Sequence, residues 1–515
     1  MIISLSVLVI TIIVSGTYAL YKAQLSKNIG VNTTTHGLAY YINYVKGTDI
    51  TAATLNPSTS YEGGASSDIE FWKKDDSYDI YGKIELTVNT IGTNLSNSPA
   101  LKYAVVNNGN VLKEGSLKGT TSGSKVTILK NLYLEQTKQI YTVYVWLDNS
   151  EELGNISNES LSISVDCTAS LQKEPTAADT IISLYTSAAK VTATNNSITY
   201  NTAPSVSLMN DRLGGTTTSL DGGNIRYYGA SPNNYIYFNC SDYSNQTSST
   251  CETWRIIGVF NGKLKLIRGS QIGTYSWDNK NTSTGEESNS GKNDWTTARL
   301  MKLLNPVDYY INDNNDKDSE GNYLGYSLYY NSTSGKCYSG QNNATVDCDF
   351  TSTGIKNDET RNMIAETTYN LGGWNTFTVY PNEIYEYERG TTVYTGRLPT
   401  WTGKIALAYP SDYGYAADLN QCVNKQLNKY NDSTCTSNNW MKSIITNNGS
   451  NHGWLLTPHS NYSYIAWGVI LSGIMGGNRA YYSSYGAAPV LYLSSELGIE
   501  SGGDGSSSNP YKLSA

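Results

Sequence analysis

Seven cysteines stand at positions 167, 240, 251, 337, 348, 422 and 435, and six of them fall into three neighbouring couples with short loops of similar length. A zinc site would need CxxC-type spacing, which the sequence does not contain. Regular local coupling points instead to disulfides, and so to an oxidising compartment. The economical pairing is Cys240 with Cys251, Cys337 with Cys348, and Cys422 with Cys435. Each bond would staple a local loop, so the region from Cys240 onward is expected to be loop-rich. Cys167 is left over; it alternates in phase with Leu161, Ile163 and Val165, as a buried thiol on a strand does.

At 515 residues the chain exceeds one ordinary core, and at least two folded units are expected. Its net charge is -8, from 44 acidic and 36 basic residues, with no Lys/Arg stripe to follow a phosphate backbone, so no nucleic-acid partner is expected. Only His36, His452 and His459 are present, which removes most of the usual material for general-base catalysis or zinc sites. The 43 tyrosines against 5 phenylalanines favour aromatic surface that tolerates water at one end.

Residues 1–22 are apolar up to Lys22, near the ~20 residues that span a bilayer. They are read as a transmembrane anchor or signal segment; no Lys or Arg precedes it to set an orientation, and it is the cysteine couples that place the rest outside the cell, at the cell surface or secreted if the segment is cleaved. Residues 32–168 show period-two alternation. Ile84, Leu86 and Val88 alternate with Lys83, Glu85 and Thr87, and Tyr141, Val143, Val145 and Leu147 do the same farther on. That pattern predicts an all-β, Ig-like sandwich. Residues 169–223 are read as a helix and linker, with the helix opened by the box-like Thr176-Ala-Ala-Asp179. Residues 224–515 predict an α+β domain. One helix opens at Asn293-Asp294 and carries Trp295, Ala298, Met301 and Leu304; another carries Met363 and Ile364 and stops at Gly372-Gly373.

Asn224 to Cys240, Trp254-Arg-Ile-Ile-Gly258, Tyr275-Ser-Trp-Asp278, Glu388-Arg-Gly390, Trp401-Thr-Gly-Lys-Ile405, Tyr409 to Ala416 and Trp454-Leu-Leu-Thr-Pro458 carry a resemblance. Together they resemble bacterial surface proteins whose C-terminal domain is similar to the C-type-lectin and formylglycine-generating-enzyme fold. The earlier part, through Gly16-Thr-Tyr-Ala19 and Tyr144-Val-Trp-Leu-Asp148, looks like the camelysin and biofilm-matrix β-sandwich. Trp454 to Leu493 resembles the variable region of proteins diversified by retroelements. There the framework would be Trp454, Leu456, Pro458, Ala466-Trp467, Gly473 and Pro489 to Leu493. The sequence departs from that pattern at Gly486-Ala-Ala-Pro489, where related proteins carry an Arg before the Pro.

The stretches between these framework residues, His459-Ser-Asn-Tyr-Ser-Tyr464 and Asn478-Arg-Ala-Tyr-Tyr-Ser-Ser-Tyr485, consist largely of residues reachable from Asn codons by adenine changes. Tyr supplies contact area with few rotors, while Ser and Asn adapt their hydrogen bonds. The expected ligand-binding set is therefore His459, Ser460, Asn461, Tyr462, Tyr464, Trp467, Asn478, Tyr481, Tyr482, Ser484 and Tyr485, meeting an unknown protein or glycan. The competing readings are a structural surface-fibre or biofilm-matrix component, built by edge-to-edge strand addition, and a formylglycine-generating-type oxidase. The oxidase needs reactive cysteines, which disulfides would consume, and no enzymatic activity is expected. No cofactor is expected either. Asp316 to Gly321 mimics the start of a calcium loop but places Ser327 where a bidentate Glu belongs, which leaves at most a weak structural Ca²⁺ there or at Asp504.

Overall fold

The computed structural model describes residues 23–24, 41–52, 55–149, 151, 153, 155–156, 158–213, 223–278, 290–310, 317, 321, 324–340 and 344–514. The chain divides into two compact units, Met1–Glu174 and Pro175–Ala515. Both are mostly β-structure with few helices.

The first unit contains a five-stranded and a six-stranded sheet. In Tyr81–Ile91 and Ile140–Asp148 the alternating residues do what their pattern dictates: Ile84, Leu86, Val88, Val143 and Val145 are buried in one shared core with Ile69, Phe71, Ile163 and Val165. Cys167 lies on Leu161–Ser170 in that core and is a free thiol, its pKa pushed up by burial.

The second unit is built on a nine-stranded sheet. Its path runs through Val191–Asn195, Ile198–Ala203, Leu208–Asn210, Ile225–Tyr227, Glu252–Phe260, Lys263–Arg268, Val490–Tyr492 and Ile405–Ala406, with Tyr235–Phe238 also paired to Glu252–Phe260. Glu252–Phe260 and Lys263–Arg268 are buried along nearly their whole length, including the charged Arg255 and Lys265. A bulge lies between Ile256 and Gly258, and a Cβ at Gly258 would sit 2.1 Å from the Ile225 carbonyl oxygen, so only glycine lets these strands approach. A separate four-stranded sheet is ordered Met475–Arg479, Ile465–Val469, His452–Pro458, Tyr485–Gly486. Disulfides join Cys240 to Cys251, Cys337 to Cys348 and Cys422 to Cys435. They place this unit in an oxidising, extracellular environment.

Three expectations need correction. No helix among the described residues is long and apolar enough to cross a membrane, so the fold class that began with a transmembrane helix is not supported; residues 1–22 themselves lie outside the described residues. Residues 169–223 are not a linker around a helix. Ala177–Ser187 does open with the Thr176/Asp179 capping box, but it buries Ala177, Ala178, Ile181 and Tyr185 in the second unit's core, and three strands of the nine-stranded sheet follow it. Val191–Asn195 and Ile198–Ala203, short and rich in Thr and Asn, look like linker because each is covered on only part of its surface.

The two helices expected farther on are also shorter than predicted: Arg299–Leu304, and Asp358–Met363, which gives way to the strand Thr367–Asn370. Gly372 ends no helix. A Cβ there would stand 2.3 Å from the Tyr387 carbonyl oxygen, so close backbone approach is what requires it.

Candidate functional site

In the four-stranded sheet, Ile465–Val469 pairs antiparallel with Met475–Arg479 and with His452–Pro458. His452 and Gly453 pair parallel with Tyr485 and Gly486. Two loops therefore emerge side by side, 459–464 before Ile465 and 480–484 after Arg479. They are stitched together where the Ala480 N–H donates to the Tyr464 carbonyl at 2.8 Å.

Asn293, buried, holds the first loop from beneath. Its side-chain amide donates to the carbonyls of His459 (3.0 Å), Tyr462 (2.7 Å) and Ile465 (2.8 Å), and its backbone N–H donates to the Ser463 carbonyl at 2.8 Å. An Arg397 guanidinium N–H reaches the same Ser463 carbonyl at 3.3 Å. The Ser460 N–H donates to the Trp374 carbonyl at 3.2 Å, while the Trp374 ring stacks on Tyr387 with centroids 3.7 Å apart. The second loop is held by the Asp278 N–H, which donates to the Ala480 carbonyl (3.0 Å), and by the Ser276 hydroxyl, which donates to the Tyr481 carbonyl (2.7 Å).

Burial divides the expected binding residues. Tyr462 is 48% exposed and Tyr482 37%. Asn461 and Ser484 are exposed, and Tyr464, Asn478 and Tyr481 half-buried. Tyr462 lies 5.8 Å from Tyr464 between ring centroids, Tyr481 and Tyr482 stack at 4.8 Å, and the Arg479 guanidinium stands 5.7 Å over the Tyr464 ring.

His459, Ser460, Trp467 and Tyr485, in contrast, are buried and cannot offer a contact face. His459 packs against Phe377 at 5.7 Å, accepts the Asn461 N–H on Nδ1 at 3.2 Å, and has its pKa lowered by burial. Trp467 also packs against Phe377, with ring centroids 4.7 Å apart. Tyr485 is stacked against Trp454 (4.2 Å) and His452 (4.9 Å), and the Asn478 amide donates to its hydroxyl at 3.4 Å. These four support the loops. Period-two patterning cannot distinguish them from contact residues, because the hairpin has the rest of its unit on one side and water on the other only near its tip.

Asn293, Trp374, Phe377 and Arg397 carry no sequence signal of this role. In sequence Asn293 looks like a helix opening, and no local signal marks an Asn whose partners lie more than 160 positions away. Gly477 is the one trace of Phe377 in the hairpin, since a Cβ there would meet the Phe377 ring at 2.6 Å.

Among the described residues no group of three or more His, Cys, Asp or Glu is arranged to hold a metal ion. Asp504 instead accepts the Ser506 N–H at 2.9 Å, and most of the calcium-like stretch Asp316 to Gly321 lies outside the described residues.

No family model and no curated protein matches the chain. Among solved structures it shows a likeness to the crystal structure of a mutant of HCR/D, at 11% identity over 50% of this chain and 76% of that one, with a TM-score of 0.14. A likeness at that score carries no argument about fold or function.

Proposed function

We propose that this chain is an extracytoplasmic ligand-binding protein whose second unit presents a tyrosine surface, made by Tyr462, Tyr464, Tyr481 and Tyr482 with Asn461, Ser484 and Arg479 between them. The observation that carries this reading is the contrast within one hairpin. The loop 459–464 is pinned from beneath by the buried Asn293, yet Tyr462 on it and Tyr482 on the neighbouring loop stay exposed, at 48% and 37%. Rigid loops lose little conformational entropy on association, and tyrosine offers area with few rotors, the combination a binding surface needs.

The residue types fit a protein or glycan partner: flat rings for apolar faces, amide and hydroxyl groups for directional hydrogen bonds, and one cation. A retroelement-diversified surface would use these same positions, with the buried Trp454, Trp467 and Tyr485 held fixed.

The test is retention of the full chain on an array of glycans and surface proteins, compared with the Tyr462→Ala/Tyr482→Ala double variant. Wild-type binding that the double variant loses while its melting temperature is kept supports the reading. Undiminished binding by the double variant, or no retention of the wild type on any probe, contradicts it.

A further inference from the structure

Away from the loops, the interior of the second unit holds a charge cluster with no access to water. Lys265, on Lys263–Arg268, and Asp412, on the helix Pro410–Tyr415, are 0% and 1% exposed at the side chain, and the Lys265 Nζ stands 2.5 Å from Asp412 Oδ2. The other carboxylate oxygen, Oδ1, receives an Arg226 guanidinium N–H at 3.0 Å. Arg226 in turn pairs with Asp211 at 2.5 Å, and Asp211 is further held by the backbone N–H groups of Leu213 and Asn224.

Around the Lys265 ammonium lie the rings of Tyr409 (4.4 Å), Phe260 (5.2 Å) and Tyr492 (5.4 Å), and among the described residues its one hydrogen bond is the bond to Asp412. Removing two such charges from water costs several kcal/mol per ion, which an ion pair offsets only when the remaining protons and lone pairs are also satisfied. Beyond Asp412, what surrounds this ammonium is aromatic rings.

The geometry points to a covalent outcome: we propose that Lys265 and Asp412 are joined by an intramolecular isopeptide bond. The proton on the shared hydrogen bond passes from the Lys265 ammonium to Asp412 Oδ2. The freed nitrogen pair attacks Cγ, the Cγ–Oδ2 bond breaks, and Oδ2 departs as water with two of the three ammonium protons. The nitrogen keeps the third as an amide N–H. An ammonium and a carboxylate become an amide and one water, with nothing oxidised or reduced and no co-reactant needed.

Three features favour the step. Nζ is held against the carboxyl group it would attack, and well-oriented intramolecular partners reach effective molarities of ~10⁵–10⁸ M. The Arg226 N–H on Oδ1 sits within the ~2.7–3.1 Å range suited to stabilising an oxyanion as it forms there. Burial also lowers the Lys265 pKa to about 8, so the neutral amine is within reach at ordinary pH.

The charges that remain are balanced. Condensation removes one cation and one anion together and leaves Arg226 paired with Asp211. The bond would tie a central strand of the nine-stranded sheet to a helix 147 positions along the chain, a cross-link that reduction does not open.

The full chain, reduced and digested with trypsin, should yield one branched peptide containing both Lys265 and Asp412. Its mass should be the sum of two linear peptides less one water, with no cleavage after Lys265 because trypsin needs a free cation there. The Lys265→Arg chain should give only linear peptides from both regions. Recovery of Lys265 and Asp412 in separate linear peptides from the wild type overturns the proposal, as does a branched peptide that persists in Lys265→Arg; the wild-type digest decides the matter even if the variant does not fold.

Discussion

Replacing Asn293 by Asp should damage the second unit more than replacing it by Ala, although Asp is nearly the same shape. The amide of Asn293 feeds three carbonyls, and of these Ile465 also accepts the His459 N–H at 2.9 Å. Asn293→Ala therefore leaves chiefly His459 and Tyr462 short of a donor. At about 1–3 kcal/mol for each buried unsatisfied group, with Tyr462 recovering part from water, the loss is roughly 2–4 kcal/mol.

Asn293→Asp removes the same donors and sets a carboxylate against three carbonyl oxygens in a buried site, so the loss should exceed the alanine value at neutral pH. The introduced carboxyl would have its pKa raised in the fold. Its penalty is then smallest at low pH, where it is protonated and can donate once, and grows as pH rises above the unfolded carboxyl value. Calorimetry of the full chain at pH 5 and pH 8 reads this directly: the melting temperature of the second unit should fall by roughly 2 °C per kcal/mol or slightly less in a unit of this size. The reasoning is refuted if Asn293→Asp melts with or above Asn293→Ala at pH 8, or if its melting temperature does not depend on pH beyond the wild-type trend.

Other expectations can be checked in the same way. Tyr485→Ala, which empties a buried slot between Trp454 and His452, should cost ~3–5 kcal/mol in urea unfolding, whereas Tyr462→Ala should change stability by no more than ~0.5 kcal/mol. Burial raises the Glu388 pKa to about 7 despite Arg389 and the Ser411 N–H and hydroxyl on its carboxylate. A raised carboxyl pKa favours the protonated folded state, so this residue's contribution to stability is full below the unfolded value near 4.5 and is lost as pH climbs through about 7; Glu388→Gln should flatten that slope in unfolding measured from pH 4 to pH 8. Cys167 should resist thiol reagents in the native chain and react only after denaturation, since its thiol is buried and held protonated.

What could be read from the sequence was whatever a local rule governs. The alternation of Ile84, Leu86 and Val88, the capping box at Thr176 and Asp179, and the couples of cysteines all follow from neighbours a few positions apart. Longer-range matters did not show. Thr- and Asn-rich strands between residues 191 and 210 resemble linker until their partners in the sheet are known. The buried cluster of Lys265, Asp412, Arg226 and Asp211 is spread over two hundred positions and reads as ordinary surface charge. Within the candidate site the composition marked the hairpin, but which tyrosines face water depended on Trp374, Phe377 and Asn293, none of them adjacent in sequence. His459 and Tyr485 look like contact residues in the sequence yet are buried, because a polar ring can fill a core slot once its hydrogen bonds are met.

The proposed binding surface lies on the loops 459–464 and 480–484, at one end of the four-stranded sheet, and the most direct measurement compares that end with the other. For any probe the full chain retains, dissociation constants should be measured for Tyr462→Ala, Tyr482→Ala and Leu471→Ala; Leu471 is 41% exposed on the same hairpin but in the turn at its opposite end. Each tyrosine substitution should cost about 2 kcal/mol or more, roughly 30-fold in affinity, with Leu471→Ala unchanged. Equal losses at both ends, or none at the tyrosines, would contradict the account.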